Sequence, residues 1–193
     1  VSSCGEAAVS GISLVDSINF LLITLFSSLA TGGAVIASQY IGRGDHKSAS
    51  LAAKQLFYAS LALSAVLGII AVFFRKPVLN MVFGSIEADV MAHAQIYFLL
   101  SAISYPFLAV YNAGAALFRS MGDSRTTMLI SILMNTINIV GNAILIYGFQ
   151  MAAAGAATAS LVSRAVGAII ITVLLLNPHR IISVSYTHLT LPT

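Results

Sequence analysis

The stretch RSMGDSRTTMLISILMNTINIVGNAILIYG, residues 119–148, decides how the rest of the chain is read. It opens on a tight polar turn, Arg119-Ser-Met-Gly-Asp-Ser-Arg125, and passes directly into an apolar run carrying Ser131, Asn135, Asn138 and Asn142. Those positions step by four, three and four residues, which on a helix of about 3.6 residues per turn stacks them on one face. The other faces are Ile, Leu, Met, Val and Ala. Such a helix cannot lie on the surface of a soluble domain, because its outside would be hydrophobic. It reads as a membrane helix whose amide stripe is turned toward other helices or a cavity.

Composition agrees. The 193 residues are 59% hydrophobic and only 8% charged, where soluble domains carry about 25% charged residues. An integral membrane protein follows, of the all-α class because the apolar runs are helix-length. The net charge of +3 comes from nine Lys or Arg against six acids. Nearly all of them fall between apolar runs, so they report orientation and not nucleic-acid binding. The one cysteine, Cys4, permits no internal disulfide. The chain opens at Val1 with no basic region before a short apolar core, which is not a signal peptide; it reads as a sequence that begins partway through something longer.

Five spanning segments are expected, at about 7–41, 48–74, 90–118, 126–149 and 153–176. The first is longer than a bilayer needs and should tilt or extend beyond it, with Gly32-Gly33 as its bend or close-packing point. Near its start lie Asp16, Ser17 and Asn19; a carboxylate there is either close to the headgroups, the reading preferred for an acid near a helix end, or turned into a cavity. Gly42-Arg-Gly-Asp45-His-Lys47 should end it, with a left-handed glycine and an Asp45 cap. The second segment stops at Arg75-Lys-Pro77. Residues 78–90 read as a mixed connector with Gly84 as a stop and Ser85 as a cap. Pro106 should kink the third segment, and Tyr97, Tyr105 and Tyr111 read as packing or interfacial anchors. The fifth begins with small residues, Gly155 to Ser160, that admit a neighbouring backbone closely. Arg164 falls well inside it and should face protein or water, since a guanidinium near the bilayer centre costs about 3 kcal/mol on insertion scales.

Two turns match: Gly44-Asp-His-Lys-Ser48 and Gly122-Asp-Ser-Arg-Thr126. They are separated by two crossings and therefore lie on one side. Arg43, Lys47, Lys54, Arg119, Arg125 and Arg180 belong to that side, and Arg75 and Lys76, with Glu87 and Asp89, to the other. The positive-inside rule makes the first side cytoplasmic. Residues 183–193 change composition abruptly, resemble translated adaptor sequence, and are set aside as a non-native tail.

The pieces Gly33-Ala-Val-Ile-Ala-Ser-Gln-Tyr-Ile-Gly-Arg-Gly-Asp45, Phe118-Arg-Ser-Met-Gly-Asp-Ser-Arg-Thr-Thr127, Asn138-Ile-Val-Gly-Asn142 and Gly155-Ala-Ala-Thr-Ala-Ser160, in this order and spacing, resemble the N-terminal lobe of a multidrug and toxic compound extrusion (MATE) transporter. The resemblance covers about residues 5–182. It implies that the five helices are the second to sixth of a twelve-helix protein, most of one six-helix lobe, partnered by lipid and by a second lobe of the same chain. It implies export of cationic or amphipathic small molecules across the plasma (inner) membrane, in exchange for Na⁺ or H⁺ and with no other cofactor. The family's ion site maps onto Asn138, Asn142 and Ser160; its first-helix acid has no counterpart, and Asn142 stands where many relatives carry Asp. Asn135 and Arg164 complete the candidate ion- or substrate-binding set.

Independently of the family, amide and hydroxyl oxygens facing one another are hard ligands suited to a weakly held cation, and they cannot themselves carry a proton. They could equally be helix–helix hydrogen bonds worth about 0.6 kcal/mol each. A lipid-linked saccharide flippase is the alternative transporter, expected to line its cavity with more basic residues than Arg164. A channel or structural subunit is a further reading. A membrane enzyme finds no support: His46, His93, His179 and His188 show no metal-ligand spacing, and no nucleophile has a base nearby in sequence.

Overall fold

The computed structural model describes residues 6–84 and 87–176. Five helices are long and apolar enough to cross a membrane. They are α1 (Glu6–Gly42), α2 (His46–Phe73), α4 (Ala88–Ser120), α5 (Ser124–Asn142, prolonged by a π-helical segment Ala143–Gly148) and α6 (Ala152–Leu175), with a short α3 (Arg75–Phe83) between α2 and α4. At about 1.5 Å per residue, the 37 residues of α1 reach about 55 Å, well beyond a hydrocarbon core of about 30 Å. The suggested tail, the Arg180 position and the Ser85 cap lie outside the described residues.

α4 is the centre of the bundle and packs against α1, α2 and α6, while α5 leans mainly on α6. Accordingly α4 buries residues along most of its length, whereas only Thr127 and Ile130 of α5 are buried. The core has two parts. One gathers Val15, Phe26, Phe98 and Tyr105, with the Phe26 and Tyr105 rings tilted at 57° and 6.2 Å apart, a favourable aromatic geometry. The other gathers Ala37, Leu56, Leu117, Phe118 and Ile171. Much of α1's buried side is alanine (Ala8, Ala30, Ala34, Ala37), which lets helices approach where lipid supplies no hydrophobic drive to bring them together.

Gly11 is the closest backbone approach of α1 to α4: a Cβ there would meet the Val90 carbonyl oxygen at 2.9 Å and the Ala94 nitrogen at 3.0 Å. The expectation at Gly32-Gly33 divides. Gly33 lies against Leu56, whereas Gly32 faces open space, and α1 is helical through both. Pro106 lies within an α4 that is helical throughout; having no N–H, it leaves the Ala102 carbonyl without its usual donor. That carbonyl approaches Gly68 of α2, where a Cβ would stand 3.1 Å away.

The connector expected over 78–90 is half helix. Pro77 is the third residue of α3, a first-turn position whose N–H has no intrahelical acceptor in any case. Leu79 is fully buried and pins this helix to the bundle, and Gly84, at φ +70°, ends it by donating its N–H to the Asn80 carbonyl. The matched turns are alike in detail. Gly44 and Gly122 have φ +73° and +81°. Asp45 and Asp123 donate their N–H groups to the carbonyls of Tyr40 and Phe118, and their Oδ1 atoms accept the N–H of Ser48 and Thr126 at 3.0 and 3.1 Å. Each helix is thus closed by a left-handed glycine and the next opened by an aspartate cap.

Candidate functional site

Gly141 is where α5 and α6 come together, since a Cβ at that position would lie 3.1 Å from Ala159 Cβ. Around this contact the polar face closes. Asn138 donates from Nδ2 to Ser160 Oγ at 3.1 Å, and Asn142 donates from Nδ2 to Asn138 Oδ1 at 3.1 Å. Asn142 Oδ1 is buried and has no partner. The three side chains therefore form one chain of bonds, each amide giving one N–H to it, that leaves the Asn142 Oδ1 acceptor open. Directly after Asn142 the helix widens into the π segment, a local form recurrent at functional sites. Asn135 shares the sequence stripe but is exposed and outside this chain of bonds.

Arg164 belongs to a second polar cluster, formed between α1, α4 and α6. Its Nη1 donates to Ser104 Oγ at 2.6 Å, and Ser104 in turn donates to the Ser101 carbonyl at 2.7 Å. Arg164 is half-buried and turned toward α4, away from lipid, as the cost of an exposed guanidinium requires. On the α1 side, Tyr97 Oη donates to Asp16 Oδ1 at 2.9 Å and Asn19 Nδ2 to the same oxygen at 3.3 Å. Asn19 is buried; its Nδ2 also donates to Ser101 Oγ at 3.3 Å, and its Oδ1 accepts from Tyr105 Oη at 2.9 Å.

Sequence reasoning missed this cluster. Asp16, although exposed, and the buried Asn19 are bonded to α4, and Tyr97 and Tyr105 are not packing anchors alone. A signal was present: Tyr97, Ser101, Ser104 and Tyr105 fall at i, i+4, i+7 and i+8, one face of a helix. Asp16 and Asn19 at i and i+3 make the complementary face.

Among the described residues, six helices, five of them long and apolar enough to cross a membrane, with two polar clusters between them, define a multi-pass membrane protein of the polytopic helical class. The MatE family model matches residues 1–144, and the chain belongs to that family. Among curated relatives, it is 31% identical over 186 residues to the uncharacterized transporter YisQ of Bacillus subtilis, covering 90% of this chain and 39% of that one. It is 22% identical to the multidrug export protein MepA of Staphylococcus saprophyticus, over 93% of this chain and 40% of the relative. Solved structures agree on the fold: a MATE crystal structure in the bent conformation matches with TM-score 0.91 at 22% identity, over 100% of this chain and 43% of the other. A MOP superfamily transporter from Pyrococcus furiosus, described as having a binding pocket of reversed polarity, matches with TM-score 0.91 at 22% identity, over 100% and 42%. The chain thus spans about two fifths of the length of the relatives it matches, in keeping with most of one lobe.

Proposed function

We propose that this chain is most of the N-terminal lobe of a cation-coupled antiporter, driven by Na⁺ or H⁺, that exports cationic or amphipathic small molecules, and that Asn138, Asn142 and Ser160 are its cation-facing set. The observation that carries the reading is the unpartnered, buried Asn142 Oδ1 beside the Asn138–Ser160 bond. Bonds that merely hold two helices together have no need of a spare buried acceptor, whose desolvation alone costs about 1–3 kcal/mol. An oxygen that a cation fills has. Amide and hydroxyl oxygens suit a metal cation, and alternating access about a site between two lobes then supplies the transport step. The names of the relatives, a transporter and a multidrug export protein, support the class of activity.

The test is substrate-dependent uptake into everted vesicles under an imposed ion gradient, using the full-length protein that contains this chain. Asn138→Ala should lower ion-driven uptake while leaving insertion intact, because it removes both the Ser160 and the Asn142 bonds. Unchanged uptake would remove these amides from the mechanism. The lipid-linked saccharide flippase is disfavoured by the same geometry: Arg164, the cation it would need at the cavity wall, is bonded to Ser104 of its own lobe.

A further inference from the structure

We propose that the groove between α2, α4 and α6 holds an acyl chain of an anionic phospholipid, whose phosphate is taken by Lys54 and Lys47 at the mouth of the groove. This site is separate from the Asn138–Asn142–Ser160 set and does not depend on the transport reading.

The groove is shaped for a hydrocarbon chain. Phe57 and Leu61 of α2, Phe107 and Val110 of α4, and Ile169 and Val173 of α6 line a cavity of about 330 Å³ that presents almost no polar surface, even at Thr172. Pro106, on its floor, has no N–H to offer. Val110 is buried at the back, whereas Leu61, Ile169 and Val173 are exposed at the rim, so the cavity opens sideways from the bundle.

Its walls also argue against a further protein helix as the occupant. In lipid, helices associate through small residues that admit a neighbouring backbone and through polar side chains that bond across the contact. Each glycine of the three helices is already taken within the bundle: Gly68 lies against the Ala102 carbonyl, Gly114 against Ile171, Gly155 against Leu145 and Gly167 against Met134. What remains along the groove is bulky Phe, Leu, Val and Ile with nothing to bond. The groove between α1 and α2 is of the opposite kind, with Ser28, an open Gly32 and Gln55 in its lining.

Charge then selects the headgroup. Lys54 precedes Phe57 and Leu61 by three and seven residues and follows Lys47 by seven, which puts all four on one face of α2. The 28 residues of α2 reach about 42 Å, about 12 Å more than the hydrocarbon core. With that excess shared between its ends, the Lys54 Cα, eight residues and about 12 Å beyond His46, sits about 6 Å inside the core. Its stem can then lie along the apolar wall while the ammonium reaches back to the headgroups. Lys54 is accordingly half-buried and Lys47 exposed. α2 carries no acid, and the nearby Asp45 and Asp123 are engaged in helix caps. Two ammonium groups above a chain-wide apolar groove match a phosphate with net negative charge, whereas a zwitterionic head brings a cation of its own toward them.

The experiment is photolabelling of the full-length protein in mild detergent with phosphatidylglycerol that carries a diazirine midway along one chain, followed by peptide mapping. Label should concentrate on the segments holding Phe107–Val110 and Ile169–Val173. Unlabelled phosphatidylglycerol should displace it at lower concentration than phosphatidylcholine, by about five-fold for each lysine engaged. Lys54→Gln should cut that preference about five-fold and Lys54→Arg should keep it. Ile169→Trp, a substitution at an exposed rim position, should reduce labelling by filling the groove, and inorganic phosphate should displace nothing. Label spread evenly over other exposed apolar positions such as Phe20 and Ile132, equal displacement by the two lipids, an undiminished preference in Lys54→Gln, unreduced labelling in Ile169→Trp, or displacement by inorganic phosphate would each overturn the assignment. None of these readouts requires transport, so a failed lipid site and an inactive antiporter give different results.

Discussion

Replacing Gly11 by alanine should destabilise the bundle although alanine is the better helix former. On propensity alone the change in a helix interior favours folding by about 1 kcal/mol. The new Cβ, however, would stand 2.9 Å from the Val90 carbonyl oxygen and 3.0 Å from the Ala94 nitrogen. Carbon and carbonyl oxygen rest at about 3.3–3.6 Å, and both obstacles are backbone of α4, which cannot swing aside. The helices must part locally by about 0.5 Å, and overpacking of this kind costs about 1–3 kcal/mol. The net expectation is a loss of up to about 2 kcal/mol, together with a longer Tyr97–Asp16 bond, now 2.9 Å. Gly32→Ala is the matched control in the same helix: nothing lies within 4 Å of its Cβ position, so the propensity gain of about 0.5–1 kcal/mol should survive. The assay is SDS-induced unfolding from mild detergent, followed by tyrosine fluorescence, which seven tyrosines and no tryptophan make selective. A Gly11→Ala protein as stable as Gly32→Ala would refute the close α1–α4 approach.

Tyr105→Phe, which leaves the buried Asn19 Oδ1 without its donor, should cost about 1 kcal/mol in the same unfolding assay, whereas Tyr147→Phe, 70% exposed, should cost nothing measurable. Asp123→Ala should lose about 1 kcal/mol with the α5 cap, checked by the same titration. The Ser48 side chain and backbone N–H hold the Asp45 carboxyl below its usual value, so its contribution is present above the unfolded-state pKa and fades as pH falls through the lower folded-state one; Asp45→Asn should flatten that acid limb of helix content. An impermeant thiol reagent on intact cells should label Glu87→Cys and spare Ser124→Cys if the matched turns are cytoplasmic, and the reverse pattern would invert the chain.

The five crossings were legible because apolar runs bounded by Gly-Asp turns and charged residues leave little freedom, and their ends fall within four residues of expectation. α3 was not, because Pro77 reads as a breaker unless it is known to occupy a first turn. The Asn138–Asn142 pair was legible as a helical step of four, and Ser160 followed from the family pattern. The Asp16 cluster was not: its bonds join residues 81 to 86 apart, and periodicity assigns a polar residue to a face without saying which helix will meet it. Arg164 could be predicted to point inward, but its partner Ser104, 60 residues away, could not be named from the sequence.

The same long separations bear on biosynthesis. A chain made from its N-terminus delivers α1 to the membrane well before α4 exists, so Asp16 and Asn19 enter with none of their α4 partners synthesised. A carboxylate opposes insertion by at most about 2.5–3.5 kcal/mol, the cost at a helix centre, and it is the rest of α1, with mean hydropathy 2.0 over its best window, that carries it in. The debt is settled only when Tyr97 and Tyr105 arrive, and Arg164 reaches Ser104 later still. Helices α1, α4 and α6 therefore cannot finish one at a time; the insertion machinery must keep the early ones close at hand until the last has been made.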